Sequence, residues 1–517
     1  MTGSWRAWTI RLCCGPVLLA SVGLPTGCSS GSTQPVPVAT SSSARAHLES
    51  LASTSARVND PASAGSNAWK LTKPASQRQI EGFTTKVSAH AGEPVGLMVS
   101  TDAPTFVATA FRIGAYRGGT GKSVWESART MGHRQSAATF ANLTTRPVVA
   151  RWSTSLVVPT AGWPPGFYVF KLVASDGWQF LIPFVVKAES AAGKVALVAP
   201  VTTWQAYNAW GGFSLYEGRN GRRSWAVSFD RPYDTPATGT GLIPIVVRAE
   251  RLRIPLAYLT NIDIDADEDA LTGAIGYVSM GHDEYWTPTM RDRVASARDR
   301  GTNLAFIGAN TMYWRIRLAN RPTGPNRLIV GYRSDAFADP APSEQDTARF
   351  RDAPSPHPEN DVTGMQYECF PVDTDYRIVS PGWWGFRGTG VGEGDRFEHL
   401  VGVEADRVYP IASTPRPLQI LSYSDYTCRG TGTSSESTYY TTSSGAGVID
   451  LGTLRWTCAL KGRCGTYQLP RRTIAFVRKV TDNILEQFAQ GPVDHPFPAE
   501  DNISQFNLPT ANQVSAS

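Results

Sequence analysis

Four short apolar runs, Val195–Val198, Leu256–Leu259, Ile275–Ser279 and Leu304–Ile307, recur between segments of helical period. A short, continuously apolar run is what a strand buried on both faces of a parallel sheet requires. The stretches between them supply the crossovers. Leu242–Arg253 reads as a helix, and Thr287 caps a second one with Pro288 at its first position. Met290, Val294 and Ala297 place apolar groups on one face of that helix, and Gly301 ends it. A closing helix over Thr473–Gln490 carries Ile474, Val477, Val480, Ile484 and Phe488 toward a core, and Gly491 and Pro492 stop it. The expected fold class is therefore α/β, a flavodoxin-like parallel-sheet domain.

The 517 residues exceed one ordinary core. Upstream, Val95–Ser100, Thr105–Ile113, Val148–Ser153, Tyr168–Ala174 and Phe180–Val186 are short β-runs divided by Gly, Pro and Asp. That rhythm predicts an antiparallel, Ig-like β-sandwich in front of the parallel sheet. Arg112–Gly119 reads as a strand entering a glycine-rich turn, and Thr431–Ser444 as a polar surface loop. The expected layout is a signal over 1–28, a Ser/Thr/Pro linker over 29–67, the sandwich over 68–190, the α/β domain over 191–492 and a tail over 493–517.

The N-terminus reads as an export signal. Arg6 and Arg11 precede the apolar stretch Leu12–Leu24, too short to span a bilayer permanently. Leu24 to Cys28 resembles a bacterial lipobox, although Leu24 lies one position early and Pro25 holds the usual leucine place. The expectation is an extracytoplasmic protein anchored to the membrane by lipid on Cys28, with plain secretion as the alternative. Beyond the signal only Cys369, Cys428, Cys458 and Cys464 remain. In an oxidising compartment they suggest two disulfides with three connectivities. Cys458–Cys464 closes the shortest loop, which favours Cys369–Cys428 as the other pair. A net charge of +5 with no Lys/Arg-rich block gives no footprint for nucleic acid.

In an open parallel sheet, ligands bind beyond the carboxyl ends of the strands. The four ends open into Thr202–Gly212, Thr260–Asp269, the hexapeptide GHDEYW (Gly281–Trp286) and Gly308–Trp314. Three of these are dense in aromatic and polar residues. His282 and Glu284 stand two apart, so in an extended segment they point the same way and can bind a metal or form an acid–base pair. Tyr285 and Trp286 read as wall residues. No cysteine lies between Cys28 and Cys369, and Ser279 in YVSMG lacks the first glycine of a nucleophile elbow. Nucleophilic catalysis by Cys or Ser is thus disfavoured. Asp263, Asp265, Asp267 and Asp269 have DxDxD spacing but lack the glycine and distal glutamate of a calcium loop, so they read as strand-end and capping residues. Tyr207 and Tyr233 are candidate hard oxygen ligands, with packing as the bland alternative.

WQAYNAWGG (Trp204–Gly212), SFDRPY (Ser228–Tyr233), GHDEYW and GANTMYWRIR (Gly308–Arg317) together resemble the C-terminal domain of the large (β) subunit of N,N-dimethylformamidase, over roughly residues 194 to 492. The resemblance implies a glutamine-amidotransferase-like fold without the cysteine of that fold, and a mononuclear iron amidohydrolase. It implies Tyr207, Tyr233 and Glu284 as ligands of Fe(III), with His282 and Glu404 (in VGVEADR) as catalytic residues. The expected function is an exported, metal-dependent hydrolase of amide-type C–N bonds acting on a small-molecule or envelope-derived substrate. The alternative is a non-catalytic cell-envelope binding protein that keeps the fold.

Overall fold

A computed structural model of the chain describes residues 63–465 and 467–511. The expected signal, the Cys28 anchor and most of the linker lie outside the described residues. No helix among the described residues is long and apolar enough to cross a membrane.

Two sheets form the N-terminal part. Ile80–Thr84, Val95–Thr101 and Leu156–Val158 make a three-stranded antiparallel sheet. Thr105–Tyr116, Gly119–Glu126, Gly166–Ala174 and Gln179–Val186 are the main strands of the facing sheet. Ile80, Leu97 and Val99 from the first share one core with Phe170, Leu172 and Ile182 from the second. This is the sandwich that period-two alternation requires. Arg112, in the second sheet, pairs with Glu250 on the helix Ile243–Leu252, and Tyr258 donates to the same carboxylate. That buried ion pair fastens the sandwich to the rest of the molecule.

A seven-stranded sheet follows, ordered Leu256–Thr260, Val195–Ala199, Gly276–Ser279, Asn303–Phe306, Gly447–Asp450, Thr431–Thr441 and Leu418–Cys428. The first five run parallel, and the last two are antiparallel. Thr287 accepts from the Met290 amide at 3.0 Å and starts the helix Pro288–Asp299, with Met290, Val294 and Ala297 buried. The long helix Arg471–Phe488 buries Val477, Val480, Ile484 and Phe488. Asp263 closes a capping box with Thr260, which accounts for one member of the acidic run without a cation.

The expectation of a flavodoxin/glutamine-amidotransferase-like α/β domain is corrected by this architecture. The described residues hold 29 strands against seven α-helices, spread over several mixed and antiparallel sheets, so the fold is β-rich. Alternation read over 195–307 does not extend to the rest. Gln366–Arg377 pairs with Arg396–Arg407 as a separate antiparallel ribbon, and Ala226–Ser228, Arg317–Arg321 and Gly324–Val330 form another sheet. Thr431–Thr441 is likewise a strand, not a surface loop, and Ser434, Ser437 and Thr438 are buried in it. Their hydroxyls hide a β pattern from hydropathy, and Ser437 donates to Leu451 O at 2.7 Å.

The disulfides are Cys369–Cys428 and Cys458–Cys464. Such bonds belong to an oxidising, extracytoplasmic environment.

Candidate functional site

The chain beyond Val195–Ala199 turns directly into the helix Val201–Tyr207, and Tyr207 ends it. Gly211 and Gly212 follow, both with positive φ (80° and 87°), a conformation that favours residues without a Cβ. They reverse the chain, and Tyr216 comes back against Tyr207 with ring centroids 4.3 Å apart and planes inclined by 22°.

Both phenols converge on Glu284. Tyr207 Oη donates to Glu284 Oε2 at 2.6 Å. Tyr216 Oη lies 2.8 Å from Tyr207 Oη and 2.9 and 3.1 Å from the two carboxylate oxygens. Tyr285 donates its hydroxyl to Tyr216 Oη at 2.7 Å. The carboxylate is set by its own backbone: the Glu284 amide donates to Thr203 Oγ1 at 2.9 Å, and Glu284 O accepts from Trp314 N at 2.9 Å. Glu284 is 2 % exposed, whereas Tyr207 is 39 % exposed and opens the cluster to solvent. Tyr216 also walls an open cleft of about 770 Å³ with Arg146, Arg223, Trp225 and Asp335.

His282 completes the group. Its Nε2 lies 3.1 Å from Glu404 Oε2 and 3.4 Å from Glu284 Oε2. Apart from this ion-pair contact, His282 Nε2 and Glu404 Oε2 have no hydrogen-bond partner among the described residues, so both are buried atoms able to take a further one. Asp283 points the other way, as alternation in extended chain requires. It accepts from Ser279 Oγ at 2.9 Å and Asn261 Nδ2 at 3.3 Å. Ser279 therefore anchors the turn behind the site. Trp286 is a wall residue that donates Nε1 to Asp283 O at 2.7 Å, but Tyr285 belongs to the cluster itself.

Charge is arranged to match. Burial works against a cation at His282, yet Glu404, then Glu284 and Asp283, outweigh it and lift the imidazole to about 9. Burial raises Glu284, with His282 opposing and Glu404 adding to the rise. Burial and then Glu284 hold the phenols of Tyr207 and Tyr216 protonated far above their ordinary range; for Tyr207, Tyr285 adds to this. The Arg333 guanidinium sits 3.7 Å from the centre of the Tyr216 ring and places a cation against that phenol.

Of the residues expected from sequence, Tyr207, His282, Glu284 and Glu404 meet. Tyr233 does not join them. It is buried on the wall of a cavity with Phe83, Ile182, Phe184, Trp204 and Arg231, and no described residue hydrogen-bonds its hydroxyl. Tyr216 occupies the place beside Tyr207, because the paired glycines return the chain within nine residues. That GG-x-x-x-Y spacing after AYN was the available signal, and SFDRPY drew attention away from it. Among the described residues no group of three or more His, Cys, Asp or Glu side chains is arranged to hold a metal. Any metal here depends on phenol oxygens, and two phenols with one carboxylate form a hard, anionic oxygen set that suits a trivalent cation.

Phenol and carboxylate oxygens thus gather at strand ends beside the His282–Glu404 pair. The chain belongs to the N,N-dimethylformamidase beta subunit-like, C-terminal family, whose model matches residues 107–468. No curated protein matches the chain. A crystal structure of a Paenibacillus sp. cycloisomaltooligosaccharide glucanotransferase complexed with cycloisomaltoheptaose aligns over 79 % of this chain and 80 % of that one. It is 10 % identical with a TM-score of 0.17, which carries no argument.

Proposed function

We propose that this protein hydrolyses amide-type C–N bonds outside the cytoplasm, with iron(III) held by Tyr207, Tyr216 and Glu284 and with His282 and Glu404 moving protons. The observation that carries the reading is the convergence of two phenols on Glu284, 3.4 Å from a histidine that also faces Glu404. Bound iron(III) would supply Lewis acidity, polarising an amide carbonyl and acidifying water. Glu404 accepts a proton from the attacking water. As the C–N bond breaks, His282, held charged by its carboxylate neighbours, delivers a proton to the leaving nitrogen. Water is consumed, and one carboxylic acid and one amine form. Arg333 offsets negative charge at the phenols, and Tyr285 fixes the Tyr216 oxygen. Family membership supports the hydrolytic reading, and the two disulfides support action in an oxidising compartment. With the N-terminal signal and a lipid on Cys28, the enzyme would meet small-molecule or envelope-derived amides at the cell surface.

Metal analysis of the mature protein, with a visible phenolate-to-iron band and amine release from an amide panel, tests this. Protein that takes up no iron, shows no band and returns every amide intact would sink the proposal and leave a binding protein.

A further inference from the structure

Arg231 and Tyr233, from SFDRPY, take no part in the phenol–carboxylate cluster. Arg231 is only 1 % exposed, and no described carboxylate lies within ion-pair distance of it. Asp234, near it in sequence, instead accepts from the Ala209 amide at 2.9 Å. The guanidinium donates through Nη2 to Asn208 O at 2.7 Å and through Nη1 to Trp210 O at 3.2 Å and Phe213 O at 2.9 Å. It thereby fastens the loop that joins Tyr207 to Tyr216. Its Nε has no acceptor.

Carbonyl dipoles satisfy donors but do not cancel a full charge, and an unpaired buried cation costs several kcal/mol. Beside the guanidinium lies a cavity of about 20 Å³, lined by Arg231, Tyr233, Gln205, Phe83, Phe167 and Trp204. One water-sized occupant needs roughly 10–15 Å³ by the same measure. Gln205 is already committed, donating to Ser228 O and accepting from Asn208 Nδ2. Arg231 Nε is the buried donor left without an acceptor, and Tyr233, whose hydroxyl bonds no described residue, lines the same cavity. The rest of the lining is mostly apolar, and about 20 Å³ is too little for sulfate or phosphate.

We infer that this cavity holds one small monovalent anion of chloride size, which receives hydrogen bonds from Arg231 Nε and Tyr233 Oη. Water would satisfy the donors but leave the charge unpaired; a halide does both. The site lies between the sandwich and the Val201–Tyr207 helix, so its occupant secures the loop that carries the two phenols. The binding claim does not depend on the metal reading.

The test uses the full mature chain without added metal. Crystals grown in sodium bromide should show an anomalous peak in the cavity. Tm should rise saturably with sodium chloride and not with sodium gluconate at equal ionic strength. Tyr233→Phe, which keeps Arg231 in place, should raise the half-effective chloride concentration about tenfold, the worth of one hydrogen bond to an ion. A cavity without bromide, or a Tm that follows both salts identically, would overturn the inference.

Discussion

Replacing Tyr216 by Phe, with Tyr233→Phe as control, separates the two tyrosines most directly. The Tyr216 oxygen lies within 3.1 Å of Tyr207 Oη and both Glu284 oxygens, and it accepts from Tyr285 at 2.7 Å. Its loss strands a fully buried Tyr285 hydroxyl and removes one of the two phenol partners of Glu284. An unsatisfied buried hydroxyl plus a lost bond to a charged group sum to about 2.5–6 kcal/mol in the metal-free protein. The Tyr233 hydroxyl makes no hydrogen bond within the described chain, so its removal in chloride-free buffer should cost about 0.5 kcal/mol or less. Metal binding should diverge further. Loss of a mere supporting group around a metal costs 10–100-fold in affinity, so loss of a ligand should cost about 100-fold or more, near 3 kcal/mol. Urea unfolding measures the first difference. Iron content and titration of the visible band measure the second. Retention of iron and band in Tyr216→Phe, with their loss in Tyr233→Phe, would refute the assignment of Tyr216.

Glu404→Gln and His282→Gln should each lower kcat by about 10²–10⁴-fold while leaving iron content unchanged, read by amine release and metal analysis. Burial pushes Glu436 up to about 7, opposed by the Val408 amide, which donates to its carboxylate at 2.8 Å. This raised acid contributes stability below its ordinary value of 4.5 and loses it as pH climbs to 7, by up to about 3 kcal/mol. Glu436→Gln should therefore match the parent in urea unfolding near pH 5 and exceed it at pH 8; an equal difference at both would contradict this. Replacing Cys369 and Cys428 by Ser opens a separation of 59 residues and should cost about 4 kcal/mol, against about 2 kcal/mol for the separation of 6 between Cys458 and Cys464.

The parallel strands were legible because a buried strand needs only a short apolar run, and Val195–Val198 or Leu304–Ile307 is hard to read otherwise. The antiparallel remainder was not. In Thr431–Thr441 the buried groups include Ser434, Ser437 and Thr438, whose polar side chains leave no hydropathy contrast. His282 and Glu284 could be placed on one side by period-two geometry alone. Tyr216 could not, since its approach to Tyr207 depends on two positive-φ glycines and on carbonyls gathered by Arg231 from a segment 18 to 23 residues distant. Tyr233 has the residue type for a ligand, but its direction is set by packing against the sandwich, which a motif does not encode.

The stacked phenols have one more consequence. In the metal-free protein, Tyr207 and Tyr216 hold their protons tightly because burial and Glu284 disfavour a second negative charge beside the first. On the proposed reading both must surrender them when a cation enters. Loading is then an exchange of two protons for one ion, and apparent affinity should fall about a hundredfold for each unit of acidification. The surroundings of the cell would thus set how much of the protein is armed, with acid emptying the site and neutrality filling it.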